Sequence, residues 1–285
     1  MVIWRELVVG AAAILTVAGC GPRLPEELPV CPGKGSLGES LIVLRSHFEN
    51  AVPFKANGRC TASFYDREKK KQRKETFDVT VWLDPPSGLR LHGDVAFNPR
   101  GIVVGSNAEA FWLAMTPKEL GNSYYWGKWS EAQGFGRLIL SPRMLLEAFG
   151  MIDVGNAHNW SLSNEGAMDV LTVRDEGGQI VKKVYVYSCD YRVKKIEYFS
   201  GGVRPAAVLE LGDYESLRGD AWVPTEINVV TVNNDGTENS FRINFSSARP
   251  YEFDEESRRT FFERREPKGF EHVYRFIGDR PVEEK

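Results

Sequence analysis

The sequence predicts a mainly β protein of the α+β class, built as one strongly curved antiparallel sheet with a helix ahead of it and a helical insert at its middle. Three observations carry this. Most of the chain after residue 54 falls into short runs in which branched or aromatic side chains alternate with polar ones, the period of a pleated strand. The runs are separated by Pro, Gly, Asn and Asp, the residues of tight turns, with few long connections. Only two longer stretches carry a helix start signal, so the strands must pair mainly with their sequence neighbours.

The chain opens with Trp4-Arg5, an apolar run from Leu7 to Ala18, and Val17-Ala18-Gly19-Cys20. A charged start, a short greasy centre and small residues before a cut describe a secretory leader, because the run is well short of the ~20 apolar residues that cross a bilayer. The small residues run into a cysteine, and this junction resembles the lipobox of bacterial lipoproteins. That resemblance implies a leader at 1–19 and a mature protein beginning at an acylated Cys20, the lipid anchor. Gly21 follows where an aspartate would resemble an inner-membrane retention signal, so outer-membrane residence facing the periplasm is expected.

Residues 20–35 are rich in Pro and Gly and form a spacer. Ser36 opens a helix, with Glu39 completing a capping box, and Leu37, Leu41, Leu44 and Phe48 fall on one face. Strands follow at 55–64, 76–83, 89–95, 101–106 and 109–115, with Val79, Val81 and Leu83 on one side and the turn Asp84-Pro85-Pro86-Ser87-Gly88 between two of them. Residues 116–136 read as a long loop. Ser141-Pro142 starts the second helix, which runs to Phe149 and stops at Gly150. Residues 156–164 are polar and read as loop. Strands resume at 168–174, 180–187, 192–199, 206–211, 221–232 and 238–246, with Asp175-Glu176-Gly177-Gly178 and Asn233-Asn234-Asp235-Gly236 as hairpin turns. No boundary divides this stretch, so 36–250 forms one domain. Residues 251–285 form a charged tail with a short helix near 255–264, its aromatics docking on the sheet edge.

A formal net charge of −3 from 36 basic and 39 acidic residues disfavours a nucleic-acid partner. Cys31, Cys60 and Cys189 remain after Cys20 is set aside, enough for one disulfide in an oxidising compartment. Cys31 with Cys60 is the first expectation, because it would fasten the spacer to the first strand; Cys60 with Cys189 stays open. No cysteine or histidine spacing suits a metal, and no cofactor motif is present. There is no Gly-x-Ser-x-Gly elbow or His-Glu-x-x-His, and His47, His92, His158 and His272 are scattered. An enzyme is not expected.

The order of elements, together with Asp84-Pro85-Pro86-Ser87-Gly88-Leu89-Arg90-Leu91, Gly101-Ile102-Val103-Val104-Gly105-Ser106-Asn107 with Phe111-Trp112, Tyr198-Phe199-Ser200-Gly201-Gly202 and Ala221-Trp222-Val223-Pro224-Thr225-Glu226-Ile227, resembles the LolA/LolB-like lipoprotein-carrier superfamily over roughly residues 37–262. The resemblance implies an incomplete β-barrel whose helices cover the concave face around an acyl-binding cavity. On that reading Leu41, Leu44, Phe48, Val81, Leu91, Val103, Leu113, Leu145 and Phe149 line the cavity; the bland alternative is that they fill a solid core. It implies a non-enzymatic, anchored lipoprotein that binds acyl lipid or lipoprotein. The alternative is a structural or assembly lipoprotein holding a protein or glycan partner. Two departures stand out. The family's soluble carriers lack an anchor, and its anchored receptor has an exposed apolar loop where this chain has a basic hairpin tip.

Two surface candidates remain. The basic tip, with Lys69, Lys70, Lys71, Arg73 and Lys74, either docks on anionic headgroups or an acidic partner, or is a solvated hairpin end. The aromatic loop, Tyr124, Tyr125, Trp126 and Trp129, is either a lid or stacking platform or plain core. Phe111 and Trp112 sit on one strand and must point to opposite faces.

Overall fold

A computed structural model describes residues 29–66, 70–95, 98–131, 141–155, 157–232, 236–278 and 280–284. The leader, Cys20 and Lys69 lie outside the described residues. The elements run α1 Leu37–Glu49, β1 Phe54–Asp66, β2 Lys71–Asp84, β3 Gly88–Val95, β4 Asn98–Ser106, β5 Ala110–Met115, β6 Ser123–Lys128 and α2 Pro142–Ala148. They continue with β7 Trp160–Glu165, β8 Met168–Arg174, β9 Ile180–Tyr187, β10 Val193–Tyr198, β11 Ala207–Arg218, β12 Ala221–Val232, β13 Glu238–Pro250, α3 Glu255–Phe262, β14 His272–Ile277 and β15 Arg280–Glu284.

Among the described residues fifteen strands form one curved, unclosed sheet in the order β15-β14-β6-β5-β4-β3-β2-β1-β13-β12-β11-β10-β9-β8-β7. The expected fold class holds. The first strand sits mid-sheet, because β1 pairs with β2 on one side and with β13 on the other, Phe54 opposite Pro250 and Ser63 opposite Ser240. That seam joins the two halves of the chain into one surface.

α1 begins as its sequence demands. Ser36 caps it by accepting from the Glu39 amide, while the Glu39 carboxylate reaches back to the Gly35 amide. Leu41 and Leu44 are buried from this helix and Phe48 is half-buried. α2 starts at Ser141-Pro142 and buries nearly its whole length, and Gly150 ends it at φ +87, where a side chain would be strained. Inside the apolar layer, the Lys182 ammonium donates to Glu147 at 3.2 Å and the Tyr198 hydroxyl donates to the other Glu147 oxygen at 2.7 Å. This carboxylate seats α2 on β9 and β10. Burial and the nearby carboxylate push the Tyr198 phenol well above its ordinary range.

Three segments depart from the sequence reading. Residues 123–128 are a strand, not a loop: Tyr124 and Trp126 are covered on one face and Tyr125 on the other, so no polar alternation marks them. Residues 160–165 are an edge strand, polar because only Trp160 is buried. The tail does more than dock. After Pro250 it crosses the convex face as α3, then adds β14 to β6 in parallel and folds back as β15. It is fastened by Arg258 to Asp84 at 2.7 Å and by Arg90, Asn107 and Tyr124, which donate to the carbonyls of Phe261, Phe262 and Arg265.

The expected disulfide is corrected. Cys31 is bonded to Cys189, not Cys60, and this also removes the Cys60–Cys189 alternative. Cys60 points into the core from β1 as a free, buried thiol, its pKa pushed up to about 12 by burial. The segment leading into α1 lies instead across the β7–β9 end of the sheet, where the Lys34 amide donates to Asp169 and the Tyr187 hydroxyl donates to the Pro29 carbonyl. That path carries Cys31 to the β9–β10 turn.

Candidate functional site

Four chain reversals meet at one end of the concave face: the C-terminal turns of α1 and α2, the β9–β10 turn at 188–192, and the tip of the β11–β12 hairpin at 218–221. Between them lies a cleft of about 310 Å³, at the small end of the range for ligand pockets. Its floor is apolar. Phe54 and Phe149 meet edge to face at 5.2 Å, flanked by Leu83, Val193 and Val223.

The rim is polar and aromatic, with His47 and Asn50 from the end of α1, Asp190 and Arg192 from the turn, and Asp220 and Trp222 from the hairpin. The Arg192 guanidinium lies 3.7 Å from the centre of the Trp222 ring and reaches Asp190 at 3.4 Å. Its second aromatic neighbour, Tyr214, donates its hydroxyl to the Val193 carbonyl, which fixes that ring at the wall. Burial holds the His47 imidazole below its ordinary pKa, with Asp190 opposing and Arg192 adding to the effect. The imidazole is therefore neutral at pH 7. An apolar floor under a charged rim can receive the apolar part of a ligand and leave its polar part at the mouth.

The sequence-derived residues divide sharply. Phe149 lines the cleft. Leu41, Leu44, Val81, Leu91, Leu113 and Leu145 are each at most 5% exposed, belong to one continuous apolar cluster and do not line it; Phe48 packs against the same cluster. Val103 is corrected: it faces the other side of the sheet with Trp112, Ala114 and Tyr124, because Ile102 and Val104 take the concave positions on β4.

The aromatic group is split in the same way. Tyr125 and Trp129 join the concave cluster, Tyr125 stacking on Tyr274 at 4.8 Å and Trp129 meeting Phe111 at a tilt, ring centres 4.8 Å apart. Tyr124 and Trp126 face the tail, where Arg264 and Arg275 both lie over Trp126 and Glu284 accepts its indole N–H. At the basic tip, Lys70, Lys71 and Lys74 are exposed, while Arg73 pairs with Glu75 at 2.7 Å and leans over Phe64. The tip stands at the end of the sheet opposite the cleft, since β1 and β2 run from it toward Phe54 and Leu83.

Arg192, Trp222, Asp190 and His47 were not legible as a site. They come from three separate elements, α1, the β9–β10 turn and β12, and no local motif joins them. Among the described residues no group of three or more His, Cys, Asp and Glu is placed to hold a metal ion. No helix among them is long and apolar enough to cross a membrane.

No family model matches the sequence, and no curated protein matches it. Solved structures do match in shape. A domain named for outer membrane lipoprotein sorting, from Vibrio parahaemolyticus, superposes with a TM-score of 0.54 at 12% identity, covering 79% of this chain and 96% of its own. A LolA superfamily protein from Nitrosomonas europaea gives 0.50 at 11% identity over 81% and 99%. A DUF1329 family protein from Desulfovibrio piger gives 0.51 at 12% identity over 80% and 95%. The chain has a LolA-like fold.

Proposed function

We propose that this protein is a non-enzymatic envelope lipoprotein, anchored through Cys20, that binds the acyl part of a lipid or lipoprotein at the periplasmic face of the outer membrane. The observation that supports it is the apolar-floored cleft at the helix end of a LolA-like sheet. At about 25 cal/mol per Å² of apolar surface removed from water, a short stretch of hydrocarbon seated on Phe54, Phe149 and Val193 gains several kcal/mol without a covalent step. The paired charges of the rim would stay hydrated at the mouth.

Binding of a fluorescent fatty-acid probe to the protein carrying Cys20→Ala tests this. Saturable binding is expected, weakened at least tenfold by Ala51→Trp and by Ala221→Trp, each of which places a ring in the cleft. Absence of binding removes the reading; equal binding by all three proteins removes the cleft as its site. A tritiated palmitate label on the unsubstituted protein, lost in Cys20→Ala, tests the anchor.

A second reading has its own support. Six of the seven leucine and valine positions expected to line a cavity are instead packed into one continuous apolar cluster and do not line the cleft. An assembly lipoprotein that holds a protein or glycan partner needs no larger cavity. Probe binding separates the two.

A further inference from the structure

The disulfide and the cleft belong to the same corner of the molecule. Cys189, the partner of Cys31, precedes Asp190 and stands three residues before Arg192, both rim residues. Upstream of Cys31, Pro29 is itself held by the Tyr187 hydroxyl at 2.9 Å, so the chain leaves the domain beside the cleft mouth. The eleven residue steps between Cys20 and Cys31 reach at most about 40 Å when fully extended. With Cys20 in a bilayer, the mouth cannot be farther than this from the headgroups. The basic tip lies at the other end of β2 from the cleft, and the 14 residues of that strand span about 45 Å.

The same corner presents a side chain suited to that boundary. Trp222 is 41% exposed beside the hairpin tip, held with one face against Arg192. A half-exposed indole is the side chain most at home between water and hydrocarbon. The charges around it, Asp190, Arg192, Arg218 and Asp220, are two of each sign, which suits a zwitterionic surface and gives no reason for a strongly anionic one.

We propose that the β11–β12 hairpin tip and the cleft mouth face the bilayer that carries the anchor, with Trp222 seated among its headgroups, so that the cleft exchanges acyl chains with that membrane. This rests on the anchoring of Cys20 proposed above. The disulfide is then the pin that sets the orientation.

The test uses the acylated full-length protein in phosphatidylcholine vesicles containing brominated phosphatidylcholine, which quenches indole emission on contact. The unsubstituted protein should show at least twice the fractional quenching of Trp222→Phe. Arg218→Trp, which adds an indole at the exposed tip, should increase it. Equal quenching in the parent and Trp222→Phe overturns the proposal. Quenching that disappears in high salt and in the Lys70→Gln, Lys71→Gln, Lys74→Gln variant also overturns it, because the opposite end would then face the lipid. A protein that fails to stay with the vesicles and whose intact mass shows an unmodified Cys20 brings down the anchoring reading itself; one that stays without Trp222-dependent quenching brings down only the orientation.

Discussion

The two faces of the sheet are covered by different physics. On the concave face, α1 and α2 lie over a continuous layer of leucine, valine and isoleucine, with an ionic seat at Glu147 and Lys182. On the convex face of the first half, the cover is the tail, and its contacts are rings, guanidinium groups and side chains donating to backbone carbonyls: Trp82 against Phe261, Arg90 to the Phe261 carbonyl, Trp126 under Arg264 and Arg275. The first kind of cover is non-directional and forgiving of shape; the second depends on geometry and on protonation. The faces should therefore fail under different insults.

The sharpest way to break the contrast is Glu147→Ala, which leaves the Lys182 ammonium, 10% exposed, without its carboxylate inside the concave layer. A loss of about 3–5 kcal/mol by denaturant unfolding is expected. The triple replacement Glu147→Leu, Lys182→Met and Tyr198→Phe, which also removes the hydroxyl that donates to Glu147, should recover most of it, since apolar residues of similar size replace buried polar groups at little cost. A small effect of the single change would mean that α2 is not seated by this group.

Phe276→Ala tests how the tail strand β14 is held where it meets the edge of the concave layer. Phe276 is buried against Phe111 and Tyr125, and its loss should cost about 3 kcal/mol. Hydrogen exchange should show β14 and β15 released while β8 to β12 keep their protection. Uniform loss of protection would show that the tail and the sheet unfold as one.

Mild acid should weaken the convex side through His92, beside a contribution from His47 at the cleft, which burial also holds below its ordinary pKa. The His92 imidazole on the convex side accepts from Arg90, and burial first, then Arg90, lowers its pKa from 6.5 to about 4. Between pH 6.5 and 4 the unfolded chain binds a proton that the native state refuses, so stability falls as pH drops through that window and is flat above it. A melting series over pH 4–7 should show this decline, and His92→Gln should flatten it. An unchanged slope in the variant would assign the decline to other groups. The smallest effect is expected at the basic tip: neutralising Lys70, Lys71 and Lys74 together should move stability by no more than about 0.5 kcal/mol per residue.

The same contrast explains what could be read from the sequence. The concave side was legible because each side chain there obeys a local rule. Ser36 and Glu39 announce α1, and Val79, Val81 and Leu83 alternate with Asp78, Thr80 and Trp82. Where both faces of a strand are covered the rule disappears. Tyr124-Tyr125-Trp126 shows no alternation and reads as a loop; Ile102-Val103-Val104 shows none either, and Val103 was placed on the wrong face. The parallel pairing of β14 with β6 and the bond from Cys31 to Cys189 join segments remote in sequence, and no short-range pattern encodes them. The rim of the cleft suffers from the same limit, being assembled from three reversals.

The seam between β1 and β13 has a consequence in time. An early strand completes its pairing only when a strand nearly two hundred residues later reaches it, Phe54 against Pro250, so a large loop must close before the central hydrogen bonds form. Chains dominated by such distant pairings fold slowly. Until β13 arrives, one edge of β1 is bare, an open template for any other strand. A chain of this topology benefits from a holding factor during synthesis, and its yield should depend on concentration and on the rate of supply more than on the stability of the finished sheet.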